Sequence, residues 1–197
     1  MNLPNKITVG RMVLAVIIII LLVFPFYQVN ITWPKFLIGK VTLELKYIIA
    51  GILFIIASVT DFVDGKIARK RNLVTDFGKV MDAIADKVLV NGVLIAFAYE
   101  GLLPVIVPII IIIRDIAVDS IKMVAGSKGS GAVGASIWGK IKTVFMMIGL
   151  SMVFFSNWPF ELLNVSLGDY LVYIATILSI FSGVQYFMAN KEYLAEK

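Results

Sequence analysis

The chain has 197 residues, of which 60% are hydrophobic, and its mean hydropathy is +0.96. A soluble domain of this size could not bury so much apolar surface in one core, so the composition indicates a membrane protein. Cysteine and histidine are absent, which excludes disulfides, thiolate chemistry and the usual ligands of zinc and copper. The net charge of +5 is typical of basic cytoplasmic loops in a membrane protein, and we expect no nucleic-acid partner.

Apolar runs recur along the chain, and each is close to the length of about 20 residues that a membrane-spanning helix needs. We predict an all-α, polytopic membrane fold with one domain over residues 1–197 and six transmembrane helices. The predicted spans are 7–27, 46–70, 78–99, 103–125, 138–157 and 169–190. The first run lacks a small-x-small cleavage site, so we expect a retained helix rather than a signal peptide. The longer connections, 28–45 and the Gly/Ser-rich 126–136, are predicted to be loops.

The distribution of basic residues predicts the orientation of these helices. Both termini and the even-numbered loops, with the adjoining helix ends, hold 14 of the 18 lysines and arginines. The odd-numbered loops hold Lys35, Lys40 and Lys46, and Arg114 lies in the middle of a span. The positive-inside rule therefore places both termini, and the loops near 71–77 and 126–136, in the cytoplasm.

Four aspartates flank the turn between the second and third predicted helices. Asp61 and Asp64 are spaced i,i+3, and Asp82 and Asp86 are spaced i,i+4, so each pair lies on one helical face. Because the turn is short, the two helices must pack antiparallel, with Thr75 or Asp76 as the cap of the second. We therefore expect all four carboxylates to converge at the cytoplasmic face of the membrane.

Such a concentration of negative charge in a low dielectric requires protons or cations. Oxygen ligands without histidine or cysteine suit Mg²⁺, Mn²⁺ or Ca²⁺, and phosphoryl transfer uses metal ions held in this way. Small residues between the aspartates allow a ligand to approach the helix backbone, and Arg69 is suited to phosphate. Two other interpretations remain: ordinary charges at helix ends, and a divalent-cation transporter, although a transporter does not explain Gly65, Ala68 and Gly78.

The same stretch resembles the signature of the CDP-alcohol phosphatidyltransferase family. Eight fixed positions of that signature are matched over 26 residues: Asp61, Asp64, Gly65, Ala68, Arg69, Gly78, Asp82 and Asp86. The resemblance implies six transmembrane helices, a homodimer, and a site with two Mg²⁺ or Mn²⁺ ions held by the four aspartates. It further implies that Asp86 is the general base, and that Gly65, Ala68, Arg69 and Gly78 contact the CDP part of the donor.

The segments 3–11 and 135–143 resemble the branch of the family whose acceptor is sn-glycerol 3-phosphate, although Asp115 and Lys122 differ from the residues expected there. This resemblance implies that the phosphatidyl group of CDP-diacylglycerol is transferred to that acceptor in the cell membrane, giving phosphatidylglycerol phosphate and CMP. Other acceptors of the family remain possible: inositol phosphate, serine and phosphatidylglycerol.

Selection of the acceptor requires residues outside the shared signature. The main cations left in the fourth and fifth spans are Arg114, Lys122, Lys140 and Lys142, and we predict that they bind the acceptor's phosphate. The alternative for Arg114 is a structural ion pair with Asp115 or Asp119. The alternative for Lys140 and Lys142 is that they are only positive-inside charges.

Overall fold

The structure is a computed structural model, and it describes residues 3–70, 75–127 and 137–194. Within these ranges the side chains at 3–4, 63–64, 66–70, 76, 79 and 192–194 are outside the description. The predicted loop at 126–136 therefore lies mostly outside the described residues.

The described residues form six long α-helices, in agreement with the predicted all-α fold. Their bounds are α1 Leu3–Val23, α2 Leu45–Lys70, α3 Asp76–Tyr99, α4 Ile106–Ser127, α5 Ile137–Phe154 and α6 Leu167–Leu194. Each lies within a few residues of a predicted span, because a long apolar run bounded by polar residues fixes where a helix can cross an apolar layer.

The connection between α1 and α2 is more regular than the sequence interpretation expected. A short 3₁₀ helix, Phe26–Val29, is followed by an antiparallel hairpin of β1 (Lys35–Ile38) and β2 (Val41–Glu44). A two-residue turn begins at Gly39, whose φ of +66° is readily adopted only by glycine. The prediction of a loop at 28–45 was therefore wrong for the hairpin, although a glycine-containing turn between apolar, β-branched residues is a recognisable hairpin signal.

The helices pack as two groups of three. In the first group α1 packs against α2 and α3, and in the second α6 packs against α4 and α5. The groups meet where α2 contacts α5 and where α3 contacts α4. At the centre of the core the ring of Phe154 lies 5.4 Å from that of Phe54 and 4.6 Å from that of Phe97, so residues of α2, α3 and α5 form one aromatic cluster.

Four of the described helices, α1, α2, α5 and α6, contain segments long and apolar enough to cross a membrane, which makes this a membrane protein. The two remaining helices do not meet that criterion within the described residues. They are the helices whose middles are charged: α3 carries Asp82, Asp86 and Lys87, and α4 carries Arg114 and Asp115 among its four charged residues. Six membrane crossings therefore stay a prediction.

Candidate active site

Three aspartates come together where α2 and α3 face each other. Asp61 lies in the C-terminal half of α2, and Asp82 and Asp86 lie one turn apart near the start of α3. One carboxylate oxygen from each residue lies within 4.8 Å of the others, and all three residues are half-buried. The i,i+4 spacing places the α3 pair on one face, and antiparallel packing brings that face to Asp61.

The rest of the predicted signature lies on the same two helices. Asp64 is one turn beyond Asp61, but its side chain lies outside the described residues. Gly65 is half-buried on α2, whereas Ala68 and Arg69 also fall outside the side-chain description.

Gly78 lies in the first turn of α3, in a crowded polar environment. The Thr75 hydroxyl accepts a hydrogen bond from the Gly78 amide at 3.0 Å, so Thr75 caps α3 as the sequence predicted. Asn5 of α1 donates its amide to the same hydroxyl at 3.2 Å. A β-carbon on residue 78 would lie 2.6 Å from the Asn5 amide oxygen. Glycine at this position therefore permits the close approach of α1 to the start of α3.

Arg11 is the residue of this site that sequence reasoning did not identify. Its side chain is 0% exposed and forms ion pairs with all three carboxylates. The guanidinium contacts Asp61, and it lies 2.6 Å from Asp82 and 2.6 Å from Asp86. By its position near the N-terminus, Arg11 was one of the basic residues that predict a cytoplasmic N-terminus. Its sequence position could have indicated this role. Arg11 follows a full turn of apolar and small residues inside the first helix, where a charged side chain needs a buried partner.

The described charges of this cluster do not balance. Three carboxylates and one guanidinium have a formal net charge of −2, before Asp64 is counted. Oxygen donors this close together, without nitrogen or sulfur, fit hard divalent ions such as Mg²⁺ or Mn²⁺. The donor set therefore fits the predicted metal centre.

A second group of charged residues surrounds Arg114 on α4. Its Nε donates to the Ser179 carbonyl at 3.3 Å and one terminal nitrogen donates to the Ser182 hydroxyl at 2.8 Å, both on α6. The other terminal nitrogen lies 3.1 Å from Asp115. A β-carbon on Gly183 would be 3.0 Å from the Arg114 side chain, so α6 approaches closely here. These contacts use three of the five N–H donors of the guanidinium.

Three lysines extend this group toward the carboxylates. Lys142 of α5 is buried and lies 3.4 Å from Asp115. Lys87 of α3, next in sequence to the predicted base, forms an ion pair with Asp119 of α4, and Lys122 lies 3.9 Å from the same carboxylate. The ion pair between α3 and α4 therefore joins this cationic group to the carboxylate cluster.

The structure brings together only part of the predicted phosphate-binding set. Arg114 and Lys142 share the carboxylate of Asp115, and Lys122 lies on the same helix as Arg114. Lys140 is exposed and takes no part in these described ion pairs. Two acidic groups thus face four cations, namely Arg114, Lys142, Lys122 and the unpredicted Lys87, so the group has a formal net charge of +2.

Comparisons with known proteins show the family. The family model described as CDP-alcohol phosphatidyltransferase matches residues 1–181. A protein of Bacillus subtilis (strain 168) named CDP-diacylglycerol--glycerol-3-phosphate 3-phosphatidyltransferase is 40% identical over 193 residues, which cover 98% of this chain and 97% of that one. A protein of the same name from Rickettsia bellii is 35% identical over 194 residues, with coverage of 98% and 97%.

Solved structures support the fold. A crystal structure of Mycobacterium tuberculosis phosphatidylinositol phosphate synthase with CDP-DAG bound aligns with a TM-score of 0.61 at 19% identity, covering 100% of this chain and 92% of that one. The same enzyme in complex with manganese and citrate aligns with a TM-score of 0.58 at 18% identity, covering 100% and 87%. The family match favours a transferase over the transporter interpretation. With its signature, its fold and a family model matched over most of its length, the chain belongs to the CDP-alcohol phosphatidyltransferase family.

Proposed function

We propose that the protein transfers the phosphatidyl group of CDP-diacylglycerol to sn-glycerol 3-phosphate, giving phosphatidylglycerol phosphate and CMP for phospholipid synthesis. The observation that carries the proposal is that Lys87, next in sequence to Asp86 of the carboxylate cluster, pairs with Asp119 in a group of cations with a formal net charge of +2. The first arrangement suits a metal-bound diphosphate, and the second suits a phosphomonoester. The names and full-length coverage of the two bacterial relatives support this choice of acceptor.

The carboxylates are the proposed metal ligands. Asp61, Asp64, Asp82 and Asp86 would hold two ions, Mg²⁺ or Mn²⁺. Bound ions of this kind neutralise the diphosphate and stabilise the charge that develops during transfer. The protein's own contribution is to hold at least three carboxylates in place from two helices before the substrate arrives.

Asp86 is the proposed general base. Its carboxylate takes the proton of the acceptor hydroxyl, and the freed oxygen forms a bond to the phosphorus that carries diacylglycerol. The bond from that phosphorus to the oxygen of CMP breaks, and CMP leaves with the electron pair. Because the chain has no histidine or cysteine to form a covalent intermediate, we propose a direct displacement.

The CDP part of the donor is proposed to lie along the α2–α3 turn. Gly65 and Ala68 have little or no side chain, so a flat base and a diphosphate can reach the backbone there. Arg69 would pair with the diphosphate through its planar guanidinium. Gly78 in the described structure is covered by Asn5, so the N-terminal end of α1 would share this part of the site.

The acceptor's phosphate is proposed to bind Arg114, Lys122, Lys140 and Lys142. Arg114 has two N–H donors beyond the three that its described contacts use, and its side chain is 18% exposed. A phosphate dianion would balance the formal charge of +2, whereas serine, a zwitterion, would leave most of it uncompensated. Inositol phosphate offers the same phosphate on a bulkier ring. The names of the two relatives support the smaller acceptor, sn-glycerol 3-phosphate.

The proposed setting is the cell membrane, with six crossings and both termini in the cytoplasm. At about 1.5 Å per residue, α3 and α4 would be about 36 and 33 Å long, enough to cross a hydrocarbon layer of about 30 Å. The described charges of α3 and α4 lie in the two clusters above. The donor would enter from the inner leaflet among the membrane lipids. We also propose one domain over residues 1–197 and a homodimer, as the family resemblance implies.

A single assay tests this proposal. Purified protein in detergent is given CDP-diacylglycerol and one acceptor at a time, with Mg²⁺ or Mn²⁺, and the products are identified by mass. We expect metal-dependent CMP release with sn-glycerol 3-phosphate, and less with inositol phosphate, serine or phosphatidylglycerol. A preference for another acceptor contradicts the acceptor assignment, and a lack of CMP release with every acceptor contradicts the enzyme assignment.

A further inference from the structure

Arg11 occupies the position that a cation would take in the carboxylate cluster. Its terminal nitrogens contact the Oδ1 atoms of Asp61, Asp82 and Asp86, the three carboxylates of the candidate metal centre. The side chain is fully buried, and it joins α1 to both α2 and α3. A guanidinium keeps its charge at any pH at which the protein folds, so it permanently offsets one of the negative charges of the cluster.

The same lone pairs cannot serve a guanidinium and a divalent ion in the same way at the same time. Hydrogen bonds from Arg11 reduce the negative potential at the three oxygens and hold them in a spacing set by a planar fork. A metal ion that binds through the same oxygens must displace some of these hydrogen bonds, and one that binds through the second oxygen of each carboxylate still meets the positive charge of Arg11. Without Arg11, three carboxylates held within 4.8 Å would repel one another and attract a divalent ion more strongly.

We propose that Arg11 competes with the divalent metal ion for the carboxylate cluster. When metal is absent, Arg11 holds Asp61, Asp82 and Asp86 together. When metal is present, Arg11 limits the affinity of the cluster for it. This inference rests on the proposed metal role of the cluster. Arg11 is a positioning residue in this scheme, since it acts through the carboxylates. Its release from them on metal binding leaves a mobile positive charge beside the place proposed for the donor's diphosphate.

The test measures metal binding without turnover. Mn²⁺ is titrated into purified full-length protein in detergent, without either substrate, and free Mn²⁺ is followed by its paramagnetic resonance signal. The variant is Arg11→Met, which keeps much of the side-chain volume and removes the charge. The matched control is Lys46→Met, which also removes a cation paired with a carboxylate, at the end of the fold opposite the cluster.

We expect Arg11→Met to bind Mn²⁺ about ten- to hundredfold more tightly than the wild type, because competing charge-assisted hydrogen bonds are lost. Its melting temperature should be lower without metal, and the rise on adding Mn²⁺ should be larger than in the wild type. Lys46→Met should bind Mn²⁺ as the wild type does. If Arg11→Met does not fold, Arg11→Lys takes its place, and its single ammonium should give an intermediate gain in affinity.

Two results contradict the inference in different ways. Unchanged or weaker Mn²⁺ binding by the Arg11 variant, with normal binding by the wild type, shows that Arg11 does not compete with the metal. Failure of the wild type to bind Mn²⁺ at all overturns the proposed metal role, and the inference with it.

Discussion

Arg114→Ala is the sharpest perturbation of the proposed acceptor site. The substitution removes the two N–H donors that we assign to the acceptor's phosphate, together with three that hold α4 to α6 and to Asp115. A hydrogen bond to a charged group contributes about 1.5–3 kcal/mol, and about 1.4 kcal/mol corresponds to a factor of ten. We therefore expect kcat/KM for sn-glycerol 3-phosphate to fall by about 10² or more.

The structural cost of the same substitution is smaller, because each partner of Arg114 keeps another contact. Asp115 remains paired with Lys142 at 3.4 Å, and the Ser182 hydroxyl still donates to the Ser179 carbonyl at 3.1 Å. We expect a loss of about 1–3 kcal/mol in the free energy of unfolding. Folded protein should therefore be available for kinetic measurement.

Initial rates of CMP release are measured with the acceptor varied at saturating donor, and then with the donor varied. The loss should appear with the acceptor, and the KM for CDP-diacylglycerol should change little. Lys46→Ala is the matched control: it breaks an ion pair of similar burial with Glu100, 2.9 Å long, in the opposite end of the fold. Gly183→Ala should also lower kcat/KM for the acceptor, but by less. Its β-carbon would lie only 3.0 Å from the Arg114 side chain and would displace it slightly.

Particular results would refute this reasoning. If Arg114→Ala changes kcat/KM for the acceptor no more than Lys46→Ala does, the guanidinium does not bind the phosphate. If the donor KM rises as much as the acceptor KM, Arg114 supports the whole site and does not select the acceptor. In either case the relatives' acceptor could still be the correct one, bound by other residues.

Other predictions concern the base, the helix cap and the orientation. Asp86→Asn should lower kcat by about 10²–10⁴ because an amide cannot take the acceptor's proton; near-normal turnover would assign the base to another residue. Gly78→Ala should lower the free energy of unfolding by about 1–3 kcal/mol through a clash with Asn5, and an unchanged melting temperature would show that α1 can move aside. In this cysteine-free chain, a membrane-impermeant thiol reagent should label Lys40→Cys from outside intact cells and Lys191→Cys only after permeabilisation; the opposite pattern reverses the orientation.

Several features of this protein followed from the sequence because they depend on local spacing. The helix bounds follow from uninterrupted apolar runs, and the cap at Thr75 follows from a hydroxyl placed three residues before a free amide. The approach of Asp82 and Asp86 to Asp61 follows from i,i+4 spacing and a short turn. In each case the pattern lies within one helix, at one helix end, or within two helices joined by a short turn.

Contacts between distant segments were decided only by the tertiary structure. The sequence placed Arg11 among the cytoplasmic basic residues. The packing of α1 against α2 and α3 instead directs its side chain toward the carboxylate cluster. Likewise Lys87 follows the base in sequence, yet its partner Asp119 is on α4. Arg114 donates hydrogen bonds to Ser179 and Ser182, which lie on α6, more than 60 residues away in sequence.

The physical reason is that helical periodicity fixes which residues share a face but not which neighbour that face meets. Rotation and depth of each helix are set by the fit of side chains across the whole bundle, such as the room that Gly183 leaves for Arg114. The carboxylate motif could therefore be recognised from residues 61–86 alone. The cations that complement it come from other helices, and only their packing brings them to the site.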